Sequence, residues 1–167
     1  MAEAGSPLQV VVAVTERKLD VAGAVAAVTG SEVGGIGIFV GTVRASAAVG
    51  ANAGKAVTSL DYEAHVSLAE QRLSEIALEA SAKWDVRRIT AIHRTGHCEL
   101  GEPTVVVACG APHRGDALEA CRWMIDTIKS TVPIWKREGY ADGSSWVGSE
   151  ADTSGEASDR LDDRADQ

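Results

Sequence analysis

Residues Pro112 to Glu138 read PHRGDALEACRWMIDTIKSTVPIWKRE, and this stretch decides the fold. Ala117, Cys121, Met124 and Ile128 recur at three- and four-residue steps, flanked by Ala120 and Ile125, which predicts an amphipathic helix with one buried face. Gly115 and Asp116 suit its start, where a carboxylate satisfies free backbone N–H groups. Pro133 cannot continue it and restricts Val132. Arg122, Asp126 and Lys129 share one polar side of the helix. Lys129 falls in the last turn and Lys136 lies beyond the proline turn. His113, Arg114, Arg122, Lys129, Lys136 and Arg137 are therefore the densest cationic cluster in a chain of formal net charge −8.

That contrast bounds the function. An acidic chain is a poor nonspecific nucleic-acid binder, because such affinity rests on neutralising phosphates. A local basic cluster suits a small anionic ligand instead. At 167 residues the chain holds one domain, or one domain with a tail. Phe39 is the only phenylalanine, so Trp84, Trp123, Trp135 and Trp146 are expected to contribute to packing. No apolar run approaches membrane-spanning length, and the first residues lack the cationic start of a secretion signal. Cys98, Cys109 and Cys121 are an odd set without metal-ligand spacing, which points to the reducing cytoplasm.

Outward from the organising helix, strands and helices interleave. Residues 1–7 read as a flexible start. Leu8 to Thr15 is β-prone, and Asp20 can cap a helix over Val21 to Val28. Gly34 to Gly37 loosens the chain before a strand from Ile36 to Arg44. Residues 45–56 are small, with no large apolar anchor, and read as a mobile loop that either folds over a ligand or is an idle surface insertion. Thr58 to His65 is a strand. Ser67 and Glu70 form a capping-box pattern ahead of a helix expected to bury Leu68, Leu73, Ile76, Ala77 and Ala80. Arg87 to Arg94 is a strand with Ile89 and Ala91 on one face. Gly96 and Gly101-Glu102-Pro103 frame a turn, and Thr104 to Cys109 must be a central strand. Trp135 to Glu138 forms a last short strand, with Trp146 the final large apolar anchor. Residues 150–167 are acidic and poor in large hydrophobes, the composition of a disordered tail. The connections are mixed in length, which favours a single α+β domain over a doubly wound one.

No Walker loop, dinucleotide fingerprint, HExxH helix or GxSxG elbow is present. The chemistry is argued from charge. Arg44 ends one strand, His93–Arg94 ends another and His113–Arg114 follows a third. With Lys129 and Lys136 these can converge on one anion pocket, held by Arg forks and free N–H groups. Arg94 or Arg137 taken alone fits an ordinary ion pair with a nearby glutamate equally well. A lysine at 129 or 136 can serve as general acid or base, as a covalent attachment point, or as a stabiliser of developing negative charge. Either can equally be a solvated surface charge.

Five blocks in order carry a resemblance: GTVR at Gly41 to Arg44, LDYEAH at Leu60 to His65, IHRTG at Ile92 to Gly96, APHR at Ala111 to Arg114 and PIWKRE at Pro133 to Glu138. Together they resemble the large, catalytic subunit of molybdopterin synthase, over Leu8 to Val147, within a domain drawn at 8–149. The resemblance implies a hammerhead-like α+β fold with a mixed, largely antiparallel sheet. It implies sulfur transfer from the C-terminal Gly-Gly thiocarboxylate of a small ubiquitin-like carrier protein to cyclic pyranopterin monophosphate. The dithiolene then forms in two successive steps. It further implies a central homodimer with one carrier at each end, hence a heterotetramer, with no cofactor, metal, nucleic acid or membrane involved. Carried over residue by residue, Lys129 and Lys136 match the catalytic lysines, and Arg44, His113 and Arg114 the substrate-binding positions. One departure is that Val147-Gly148-Ser149-Glu150 lacks the basic residue expected after the tryptophan. Arg137 or an arginine of the dimer mate would then replace it, unless the contact is dispensable. Cys98 stands where a larger aliphatic residue is usual. The alternative from another class is a noncatalytic scaffold that only binds the carrier.

Overall fold

A computed structural model describes residues 7–48 and 52–147. The 150–167 tail, most of the 1–7 start and residues 49–51 of the 45–56 segment lie outside the described residues. In chain order the elements are β1 (Gln9–Thr15), α1 (Val21–Ala27), β2 (Gly35–Thr42), β3 (Ser59–Ala64), α2 (Val66–Lys83), β4 (Arg88–Arg94), β5 (Gly96–Glu99), β6 (Pro103–Ala111), α3 (Arg114–Thr131), β7 (Ile134–Tyr140) and β8 (Gly143–Val147). The strands form two four-stranded sheets, ordered β1-β4-β6-β2 and β5-β3-β7-β8. Only β1 and β4 run parallel; every other pair is antiparallel. This is the α+β domain the sequence implies, with its strands divided between two sheets.

The core lies between the first sheet and two helices. Strand alternation sends Val105, Val107 and Cys109 of β6 and Ile89 and Ala91 of β4 to one face. Against them α2 sets Leu73, Ile76, Ala77 and Ala80, and α3 sets Ala120, Met124 and Ile128. β6 is interior and almost wholly buried, as its continuous apolar run requires. On the other face α1 packs near Gly110, where a Cβ would run into the carbonyl oxygen of Val28. Asp20 caps α1 as expected, its Oδ1 accepting from the Gly23 N–H at 2.8 Å.

Four details depart from the sequence reading. α2 starts at Val66 after an N-cap His65 that makes no side-chain capping bond, so Ser67 sits inside the first turn. Glu70 instead accepts the backbone N–H of Val14 in β1 at 3.0 Å, satisfying an edge-strand donor in preference to the helix end. With that start, Ala69 faces the core and Leu68 is 51% exposed. Among the tryptophans, Trp84 and Trp123 pack together at 5.8 Å between centroids against the core, whereas Trp135 and Trp146 are exposed. β7 is longer than the expected Trp135–Glu138, and it turns at Gly143 (φ +139°) into β8.

The described part of 45–56 is tied down by backbone bonds. Ala47 N–H donates to Lys55 O at 2.9 Å and Val57 N–H to Ala45 O at 3.0 Å, with Ala47 and Val57 buried. Helix α3 lies close on β2 because residue 37 is glycine: a Cβ there would collide with the Ala117 carbonyl oxygen. Gly37→Ala should therefore displace α3 and cost about 1–3 kcal/mol in urea unfolding. An unchanged midpoint and slope would show that the helix does not need this approach.

Candidate active site

Antiparallel pairing sets Lys136 opposite Tyr62 and Glu138 opposite Leu60. In a strand, residues two apart share a face. Lys136, Glu138 and Tyr140 of β7 accordingly point inward with Leu60 and Tyr62, while Trp135 and Arg137 point outward. The inward face closes a cavity of about 380 Å³ against the ends of β2 and β6 and the last turns of α3. Arg44, Tyr62, His93, Thr104, Lys129, Lys136 and Glu138 are among its polar lining residues; Phe39, Leu60, Ile125 and Ile128 are among the apolar ones. Lys129 enters from the C-terminal turn of α3, where the helix dipole favours a cation. Arg44 and Lys129 are exposed at the rim, while the Lys136 side chain is only 29% exposed.

The interior is polar and paired. Glu138 is buried, with Oε1 at 3.8 Å from Lys136 Nζ and Oε2 accepting the Tyr140 hydroxyl at 2.6 Å. That hydrogen bond pushes the Tyr140 phenol up to about 12. Burial raises the Tyr62 phenol as well. His93 is buried, and desolvation lowers its imidazole to about 4, so it is neutral at pH 7. Its Nδ1 lies 2.7 Å from the Arg94 carbonyl oxygen, which can only accept, so the ring proton is assigned to Nδ1. Tyr62 meets the imidazole edge-on at 5.1 Å. The chamber thus offers cations at its rim and floor, a carboxylate behind Lys136, and a neutral imidazole. Such a set can bind an anion and stabilise charge or move protons.

Of the six residues singled out from sequence, Arg44, Lys129 and Lys136 come together here. His113 and Arg114 do not join them within one chain. They stand exposed at the opposite end of α3, about 22 Å from Lys129 at the helical rise of ~1.5 Å per residue. Arg137 also faces away, because strand alternation turns it outward. Its Nη2 is 3.6 Å from Asp61 Oδ2, and Trp146 stacks beside it at 5.5 Å. His97 completes this outer row, its Nδ1 3.1 Å from Asp61 Oδ1. His93 and Arg94 part company too: Arg94 makes an ion pair with Glu102 at 2.8 Å and donates to the His97 carbonyl. Glu138 and Tyr62 were missed as site residues, although each shares β alternation with, or pairs opposite, a residue that was found. Among the described residues no cluster of three or more His, Cys, Asp or Glu side chains could hold a metal ion, and no helix is long and apolar enough to cross a membrane.

Known proteins share this sequence pattern and this fold. The family model described as MoaE protein matches residues 14–131. A molybdopterin synthase catalytic subunit from Halalkalibacterium halodurans is 42% identical over 120 residues, spanning 72% of this chain and 74% of the relative. The crystal structure of molybdopterin synthase from Staphylococcus aureus superposes with a TM-score of 0.74 at 31% identity, covering 81% of this chain and 96% of that one. A chain from the complex of subunits 1 and 2 of the Helicobacter pylori molybdopterin-converting factor is similar in fold, with a TM-score of 0.63 at 19% identity, covering 83% and 89%.

The neutral His93 makes the fold acid-sensitive. The unfolded chain binds a proton near the ordinary value of 6.5, whereas the folded chain resists protonation until about 4. Stability is therefore lost as pH falls through that window, by on the order of 2 kcal/mol between pH 7 and 5. His93→Gln should flatten the fall in unfolding free energy over this range. An equally steep fall in the variant would assign the acid sensitivity to other groups.

Proposed function

The chain belongs to the MoaE protein family, and we infer that it is the catalytic subunit of a molybdopterin synthase. It moves sulfur from a protein thiocarboxylate onto cyclic pyranopterin monophosphate and builds the dithiolene in two successive transfers. One observation carries this reading: Lys129 from α3, Lys136 from β7 and Arg44 after β2 meet around one cavity of about 380 Å³. A phosphate-bearing pterin needs cations at its anionic end, and an acyl-transfer step needs a positive charge where oxyanion character develops.

In this scheme the extended Gly-Gly tail of a small ubiquitin-like carrier enters the cavity. Lys129, at the rim, stabilises the charge that develops on the tail's terminal carbonyl as sulfur leaves. Lys136, set deeper, polarises or protonates the pterin side. Arg44 binds the phosphate. His113 and Arg114 serve the same anion, but in the pocket of a second copy, since α3 holds them about 22 Å from their own Lys129. Two copies back to back, each with a carrier at its outer end, make the heterotetramer. Each transfer consumes one charged carrier, so two are needed per pterin. The reaction belongs in a reducing compartment such as the cytoplasm, in keeping with three free, buried cysteines.

The first test is single-turnover sulfuration with thiocarboxylated carrier and cyclic pyranopterin monophosphate, read by mass spectrometry. Lys129→Ala should bind carrier as wild type does and lose on the order of 10²–10³-fold in rate. Near-normal turnover in that variant would remove Lys129 from the chemistry, and tight carrier binding without product even in wild type would favour a scaffold. The shared pocket has its own test. Mixing inactive His113→Ala and Lys129→Ala chains should restore about a quarter of wild-type activity, because half of randomly paired dimers then hold one intact pocket. No restoration would confine each site to one chain.

A further inference from the structure

We propose that Tyr140 is a positioning residue for sulfur transfer: through Glu138 it holds Lys136 extended into the cavity. The inference rests on the assignment of Lys136 above.

The three side chains stand at alternate positions of β7 and form one line. Tyr140 donates to Glu138 Oε2 at 2.6 Å, and Glu138 Oε1 stands 3.8 Å from Lys136 Nζ. The 2.6 Å bond is short, as expected for a hydroxyl on an ionised carboxylate. The 3.8 Å separation is too long for a hydrogen bond. Glu138 therefore commits one oxygen to Tyr140 and lends Lys136 a countercharge without closing on it. Burial of Glu138 gives that difference weight, since an unpaired carboxylate oxygen there is costly. Without the phenol hydroxyl, the carboxylate keeps Lys136 as its ion-pair partner, and the lysine would be drawn onto it and off the cavity.

Tyr140 is itself held in place. Its ring packs with Val43, Val57, Leu60 and Cys98, and Lys55 Nζ lies 4.7 Å over the ring centroid while pairing with Asp142 at 3.0 Å. The hydroxyl stays protonated across the working range, because its value is pushed up to about 12. The charged and titratable groups facing Lys136 from other elements are Tyr62, His93, Arg44 and Lys129; Lys55, Asp142 and the Cys98 thiol face Tyr140. None is altered by the substitutions below, so changes in the Lys136 titration report on Glu138.

The experiment compares Tyr140→Phe and Glu138→Gln in the full chain with wild type. Lys136 is followed by ¹³C-lysine NMR, with its signal identified by loss in Lys136→Arg, and single-turnover rate is followed against pH. Tyr140→Phe leaves the carboxylate undivided, so the Lys136 titration and the alkaline limb of the rate profile should move up. The transfer rate should fall on the order of tenfold with little change in pterin KM. Glu138→Gln removes the countercharge, so both should move down. A purely structural role predicts shifts of the same sign, or none, and either result overturns the proposal. The NMR titration needs no turnover, so it is independent of the wider assignment. Full activity in Lys136→Ala would instead refute the role of Lys136, and with it the catalytic sense of the relay, whatever the titrations show.

Discussion

Helix α3 rests directly on the backbone of β2, and everything at the site depends on that close approach. Gly37 makes it possible by leaving room for the Ala117 carbonyl. Once α3 lies there, Ala120, Met124 and Ile128 reach the first sheet, and the helix end carries Lys129 to the cavity rim. The proline turn then reverses the chain into β7, whose alternation delivers Lys136 from the opposite wall. A packing constraint in the core and the separation of two lysines are thus linked through one rigid element.

The cavity sits within a protein of net charge −8, so its cations are local exceptions in an acidic surround. The second sheet keeps that local field directed. Its outer face carries a row of His97, Asp61, Arg137 and Trp146, one from each strand and paired in register. Arg137 spends its charge on Asp61 there, while Lys136 on the inner face keeps a partial partner in Glu138. Alternation therefore sorts adjacent cations between an outer ion pair and the wall of the cavity.

The elements were legible where physics is local. Apolar periodicity marked α3, the run Thr104 to Cys109 marked the central strand, and Asp20 marked the start of α1. The site was legible in part: the same spacing found Lys129 and Lys136, and Arg44 followed from its strand end. What escaped depends on distant partners. Glu70 looks like a capping residue until β1 offers it an unpaired N–H. Arg137 and Lys136 are indistinguishable neighbours until the pairing of β7 with β3 assigns their faces. His113 and Arg114 belong to the same helix as Lys129, and a string of letters conceals that its ends are two nanometres apart. Glu138 is only the end of an expected short strand until the fold buries it beside Tyr140.

The two-residue repeat of β7 makes spacing as consequential as identity. Losing or gaining one residue between Pro133 and Lys136 would rotate the strand by half a period, presenting Trp135 or Arg137 to the chamber and the lysine to solvent. A change of two would preserve the facing at the expense of reach. Changes at the tip, around Ala141 and Asp142, would alter only where the hairpin closes. Within this strand, parity is inherited along with chemistry: an insertion that leaves every named residue intact can still abolish the site.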